Sequence, residues 1–407
     1  MTSLNGPARR SALATAIGLL GLGLLAACSP SDKPAATDAA ASAPAAAPAS
    51  AVATAAPVNP AWASEAKVLN IYNWSDYIAP DTIANFEKET GIKVRYDNFD
   101  NNEILHAKLV AGKTGYDIVV PGAHFAKQQI EAGLLQKLDR AALTNWNNLD
   151  PALLEQMAKV DPGNQYLVDW MWGYNTVGIN VDKVKAALGD MPMPANAWDL
   201  LFKPEYASKL KNCGVSMLDS ASEVLPVVMI YAGKDGYSKN PADYKAAEEI
   251  LMKTRPSVTR FSSSGYIEEL AAGSLCAVMG YSGDINIARA RAHKSGSKVN
   301  VEALIPPTGG TLFFDSMAIP ADAEHPGNAH QFINYILRPQ VAAGLTNQVF
   351  YANPNKASLP FVDKEVAENP TVFLSAPDLA KMTAPDAVPQ DIRRVQTRIF
   401  QRFKAGR

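Results

Sequence analysis

The chain has 407 residues, 47% of them hydrophobic and 19% charged, enough apolar material for a sizeable core and a length that suggests two domains. Its formal net charge of −2 becomes −4 once residues 1–27 are removed with Arg9 and Arg10. That balance excludes a surface built to attract nucleic acid, and it suits a cationic partner without identifying one.

Arg9 and Arg10 precede an apolar run over 12–25 and then Leu25-Ala26-Ala27-Cys28. The run is too short to span a membrane well and reads as an export signal over 1–27. Leu-Ala-Ala-Cys resembles the bacterial lipobox, which implies that Cys28 becomes the lipidated first residue. Residues 28–64 are almost wholly Ala, Pro, Ser and Thr, with no large apolar side chain before Trp62. Such a stretch cannot bury enough surface to offset its ordering entropy, so a disordered tether is expected, with a reach on the order of 100 Å. Of the remaining cysteines, Cys213 and Cys276 can pair in an oxidising compartment; the alternative is two separate buried thiols.

The folded part opens with a strand over 68–74 that ends in the turn Ser75-Asp76-Tyr77. A helix follows, with Asp81 or Thr82 as cap, Ile83 and Phe86 facing inward, and Gly91 as the stop. Residues 93–99 alternate as a strand, 103–110 read as a helix, and 117–121 as a short buried strand. This is β-α-β-α-β, the pattern of a parallel sheet wrapped by helices. The alternation returns in a strand over 214–218, helices over 221–232 and near 242–252, and a strand over 276–280, giving two α/β halves that face a cleft. Near the C-terminus, Arg393, Arg394, Arg398 and Arg402 recur around Val395, Ile399 and Phe403, predicting an amphipathic helix with a solvated basic face. Arg289 and Arg291 read as surface charge on the helix after Asp284.

Ligands in doubly wound sheets sit beyond the carboxyl ends of strands. The turns there combine aromatic and acidic residues: Trp74 with Asp76 and Tyr77, Tyr281 with Asp284, Phe313 with Asp315, and Tyr351 beside Asn353. A linear diamine wants this combination. Its methylene stem lies between ring faces, its ammonium ends gain about 0.5–2 kcal/mol of cation–π attraction, and carboxylates offset their desolvation. Taken singly, each pair also suits a bland role, since aromatics close cores and turn acids cap helices. Enzyme signatures are missing: there is no Gly-x-Ser-x-Gly elbow, Walker loop, His-Glu-x-x-His or Gly-rich dinucleotide turn. His106, His124, His293, His325 and His330 lack ligand spacing, so neither metal nor cofactor is expected.

At Asn73-Trp74-Ser75-Asp76-Tyr77-Ile78-Ala79-Pro80, continuing through 86–94, the sequence resembles the periplasmic putrescine- and spermidine-binding proteins. Asn180-Val181-Asp182-Lys183-Val184, Leu218-Asp219 with Glu223, Gly280-Tyr281-Ser282-Gly283-Asp284, Phe313-Phe314-Asp315 and Val349-Phe350-Tyr351-Ala352-Asn353 follow in the family's order, so the resemblance covers 66–407. It implies a two-lobe periplasmic-binding-protein fold of type II, with lobe 1 over 65–171 and 312–353 and lobe 2 over 172–311 and 354–407. The chain would cross between lobes near Trp170-Met171-Trp172, near Thr311-Leu312 and after Tyr351. The implied ligand residues are Trp74, Tyr281, Phe313 and Tyr351 as aromatic walls with Tyr77 near them, Ser75 as a polar contact, Asp284 and Asp315 for one ammonium, and Glu223 and Asp76 for the other. Tyr281, Gly122 and His124 depart from the residues that close diamine binders carry there. His124 would repel a cation if protonated, and shorten the pocket or bond the ligand if neutral; the alternative is that it points to solvent. The expected function is capture of putrescine or a related polyamine by a monomeric, lipid-anchored periplasmic protein and delivery to an inner-membrane ABC permease, without catalysis. The alternatives are a binder of another cationic solute and a polyamine-sensing lipoprotein.

Overall fold

The computed structural model describes residues 59–407. The expected export signal, Cys28 and the tether up to residue 58 lie outside the described residues. Residues 59–64 of the expected tether fall within the described part and are held to the fold: the Trp62 ring stacks on His330 at 4.6 Å, and the adjoining Glu65 accepts the backbone N–H groups of Gly327 and Asn328.

Strands β1 (Val68–Trp74), β2 (Lys93–Phe99) and β3 (Ile118–Val119) form a parallel sheet in the order β2-β1-β3. The crossovers are the helices Thr82–Thr90 and Asn102–Ala111. Phe86 is fully buried under the first, which ends at Gly91 with φ 72°, the left-handed stop that glycine adopts without strain. Ile83 is only half-buried, and the Asp81 side chain accepts from Asn85 instead of capping the helix. The second helix is capped by Asn101, whose side chain accepts from the Ile104 N–H at 2.9 Å.

The remaining strands are β4 (Leu135–Gln136), β5 (Val168–Asn180), β6 (Val215–Met217), β7 (Arg260–Phe261), β8 (Ala277–Tyr281), β9 (Val301–Leu304), β10 (Leu312–Met317) and β11 (Ile319–Pro320). Six of them make the second sheet, β10-β5-β8-β6-β7 with β9 also on β5, while β4 pairs with β11. The thirteen-residue β5 joins two neighbourhoods. Its first half pairs antiparallel with β10, and its second half pairs with β8 and β9. Bridges Val119↔Ala318 and Gly122↔Asp315 connect the β3 segment to β10 and its continuation, and Trp172↔Ala352 brings in a third stretch of chain. Sequence periodicity missed β5 because it is buried along nearly its whole length, so its side chains do not alternate in polarity. Phe313 and Asp315 likewise lie within β10, not in a turn.

Cys213 and Cys276 are bonded, closing a separation of 63 residues between β6 and β8; in the chain-entropy account such a loop adds about 4 kcal/mol. The C-terminal helix Gln390–Ala405 buries Ile392, Ile399, Phe400 and Phe403. Its basic face is not simply solvated: Arg402 pairs with Glu248 at 2.7 Å, and Arg393 is half-buried with Nη1 lacking a partner.

Candidate functional site

Strand ends from both sheets meet around a cleft lined by aromatic and acidic side chains. The end of β1 and the turn after it supply Trp74, Ser75 and Tyr77; β8 and the helix Ser282–Lys294 that follows it supply Tyr281 and Asp284. Strand β10 adds Phe313 and Asp315, the helix Ala221–Tyr231 adds Glu223, and the chain beyond Val349 adds Tyr351.

The rings form a connected wall. Tyr281 meets Trp74 edge-on at 6.2 Å and Phe313 at 5.4 Å; Phe313 meets Tyr351 at 5.9 Å, and Tyr351 meets Tyr77 at 4.8 Å. Two glycines make this packing possible. A Cβ on Gly283 would lie 2.3 Å from the Tyr351 ring, and one on Gly173 would lie 2.7 Å from Phe313. Trp74 is anchored by its indole N–H, which donates to the Val120 carbonyl at 2.9 Å.

Three carboxylates sit in this wall, each buried and each held by neutral donors. Tyr351 and Tyr266 donate to Asp284 at 2.5 and 2.8 Å, Tyr77 donates to Asp315 at 3.1 Å, and Asn175 donates to Glu223 at 2.8 Å. Among the described residues none of the three has an ion-pair partner. Burial therefore dominates their titration. It pushes Asp284 up to about 7 although two tyrosines donate to it, and Glu223 up to about 7 although Asn175 does. Asp315 is raised well above the ordinary carboxylate range, by burial first and then by the negative charge of Glu223 and Asp169. A positive charge entering the cleft would relieve all three at once.

Nine of the twelve expected ligand residues line this cleft; Asp76, Gly122 and His124 do not. Asp76 adopts a φ of 55° and turns outward to pair with Arg291 at 2.5 Å. Arg291 is thereby an ion-pair partner of Asp76 and Glu268, not free surface charge. Gly122 backs Asp315 through its β-bridge, and its N–H donates to Asn102 at 2.8 Å, leaving no side for the cleft. His124 occupies the first turn of the helix Ala123–Glu131, which carries its ring into a separate cavity with Ser222, Tyr237 and Arg393. Burial pushes it down to about 4, so it is neutral at physiological pH and neither repels a cation in the cleft nor shortens the pocket. Asp219, at another strand end, pairs with Lys404 at 2.6 Å instead.

The cleft also holds Phe99, Asp100, Ser263 and Ser264, which sequence reading did not single out. Phe99 and Asp100 end β2, so the strand-end rule that selected Trp74 applies equally to them. Tyr266 carried no signal, because its role is a hydrogen bond to Asp284 made possible only by the packing of its helix against the one after β8.

The two sheets with a cleft at their strand ends define a two-lobe α/β binding protein of the periplasmic type II class. The profile of the bacterial extracellular solute-binding proteins matches residues 81–373, and the chain belongs to that family. It is 50% identical to the putrescine-binding periplasmic protein PotF of Escherichia coli, over 85% of this chain and 93% of that one. It is 48% identical to the putrescine-binding periplasmic protein SpuD of Pseudomonas aeruginosa, over 85% and 94%. Among solved structures, a putative spermidine/putrescine ABC transporter protein of Listeria monocytogenes superposes with a TM-score of 0.74 at 30% identity, covering 84% of this chain and all of that one. The chain is therefore a solute-binding protein and not an enzyme. No helix among the described residues is long and apolar enough to cross a membrane.

Proposed function

We propose that the protein captures a linear diamine, putrescine or a close relative, and delivers it to an ABC permease in the inner membrane. One observation carries this reading: three buried carboxylates line an aromatic cleft, and among the described residues none of them is ion-paired, Arg291 acting on Asp284 only as the last and smallest influence on its titration. Leaving buried charges unpaired costs several kcal/mol, whereas a dication with an apolar stem offsets it at both ends and fills the space between rings. The names of the two relatives given above point to the same ligand class.

In this reading Trp74, Tyr77, Tyr281, Phe313 and Tyr351 enclose the methylene stem. Asp284 and Asp315 take one ammonium, Glu223 the other, and Ser75 adds a polar contact. The lobes, 65–171 with 312–353 and 172–311 with 354–407, close around the ligand through β5, β10 and the segment after Tyr351. Closure is a population shift driven by tighter binding to the closed form. Cys28 carries the lipid, the Ala/Pro/Ser-rich segment after it serves as the tether, and the protein works as a periplasmic monomer.

Titration calorimetry with putrescine is the test. The wild type is expected to bind near micromolar, about −8 kcal/mol, and Asp315→Asn to bind at least tenfold more weakly with its fold retained. Equal isotherms for the two proteins would refute the assignment.

A further inference from the structure

The helix that carries Glu223 is not capped by its own sequence. Ser220 occupies the N-cap position of Ala221–Tyr231 in extended conformation, and its hydroxyl makes no bond to that helix's amides. The capping carboxylate comes from elsewhere. Glu103, in the first turn of Asn102–Ala111, accepts the Ser220 hydroxyl on both oxygens at 3.2 Å and the Ser222 N–H at 3.3 Å. Glu103 is itself held in place, because Asn101 caps its helix.

The two partners lie 117 or more residues apart in sequence, on opposite lobes of the reading above. A carboxylate at a helix N-terminus satisfies orphan N–H groups and meets the positive end of the helix dipole. Here that interaction exists only while the lobes are together. One turn further on, Glu223 faces the cleft with Asn175 as donor. Two further links flank the contact: Ser264 donates to Asp100 at 3.0 Å, and Asn101 donates to the Asp219 carbonyl at 3.5 Å.

We infer that Glu103 is a positioning residue for ligand capture: it caps the Glu223 helix from across the cleft, stabilising the closed form without touching the ligand. This rests on the two-lobe capture reading. Because the contact contributes to closure and not to recognition, its loss must weaken every ligand by one factor. It must also act mainly on the dissociation rate, since the contact forms after encounter.

The experiment measures Kd and dissociation rates of putrescine and spermidine for wild type, Glu103→Gln, Ser220→Ala and the double variant, with melting of the unliganded proteins as a control for folding. Expected are a loss of about tenfold in each single variant, the same for both amines and seen in the dissociation rate, little further loss in the double variant, and a single cooperative unliganded melting transition retained in all four proteins. A loss that grows with ligand charge would make Glu103 merely part of the cleft's field, and no loss would remove it altogether; either overturns the proposal. If the wild type binds neither amine, the capture reading falls, and the cap is then judged by hydrogen exchange. Glu103→Gln must speed exchange of the Ser222 amide, and unchanged exchange overturns it.

Discussion

Two aromatic–acidic clusters stand side by side on the first sheet, and only one of them awaits a cation. Behind β1 and β2, Tyr72 stacks on Tyr116 at 4.5 Å, Lys108 Nζ lies 5.6 and 5.5 Å from their centroids, and Arg95 lies 5.7 Å from Tyr116. Asp97 there accepts from Tyr116 at 2.7 Å and pairs with Arg95 at 2.5 Å, and these bonds hold it below its ordinary range. In the cleft the ingredients recur, with Phe99 touching both clusters, 4.9 Å from Tyr72 and 4.7 Å from Trp74. Yet Asp284 and Glu223 are pushed up, not down, because burial is uncompensated. Rings and carboxylates alone do not define a cation site; a missing protein cation does.

The sharpest way to break this contrast is to spoil the cleft's geometry without touching a charge. In Gly283→Val the new side chain would overlap the Tyr351 ring, displacing it and its bond to Asp284. Putrescine affinity should fall by about 30- to 100-fold, in line with the loss of a hydrogen bond to a charged group. A loss under threefold by calorimetry would mean that Tyr351 does not shape the site.

A second prediction uses pH. Asp284 and Glu223 titrate near 7 in the unliganded fold and near 4 when unfolded. Their contribution to unliganded stability is therefore fully present below about pH 4 and lost as pH rises through 7. A bound cation favours the ionised forms, so its affinity should rise about tenfold or more from pH 5.5 to 8, with proton release detectable in buffers of different ionisation enthalpy. A flat profile would count against the assignment of these acids.

A smaller effect is expected from Asp284→Asn in the unliganded protein. At pH 8 it removes an ionised, unpaired buried group, so Tm should rise by about 2 °C or more, and at pH 4 the gain should vanish. A lower Tm at pH 8 would show that the tyrosine bonds already stabilise the charge. The smallest effect belongs to the self-sufficient cluster: Lys108→Ala should cost about 1 kcal/mol or less in urea unfolding and leave putrescine affinity within about twofold.

Much of the site was legible because strand ends are local. An apolar run that stops at Trp74-Ser75 or at Tyr281 marks where side chains leave a sheet, and the acids nearby follow within a few residues. The same rule selected Asp76, which leaves the cleft, since it locates a backbone and not the direction of a side chain; Gly122 and His124, which the resemblance implied, lie outside the cleft as well. Asp76 was drawn off by Arg291, 215 residues away, and His124 by a helix start that turns its ring into another cavity.

What the amino-acid sequence determined by itself is the alternation of strands and helices within the two α/β halves and the residue types at their edges, encoded by periodicities a few residues long; the fully buried β5 and the strand β10 beside it escaped that reading. Tertiary structure alone decided which acids would be paired and which left unpaired. Asp76 meets Arg291, 215 residues away, while Asp315 meets only the neutral Tyr77 hydroxyl, 238 residues away. Charge compensation is a property of distance in space, and no local pattern records it.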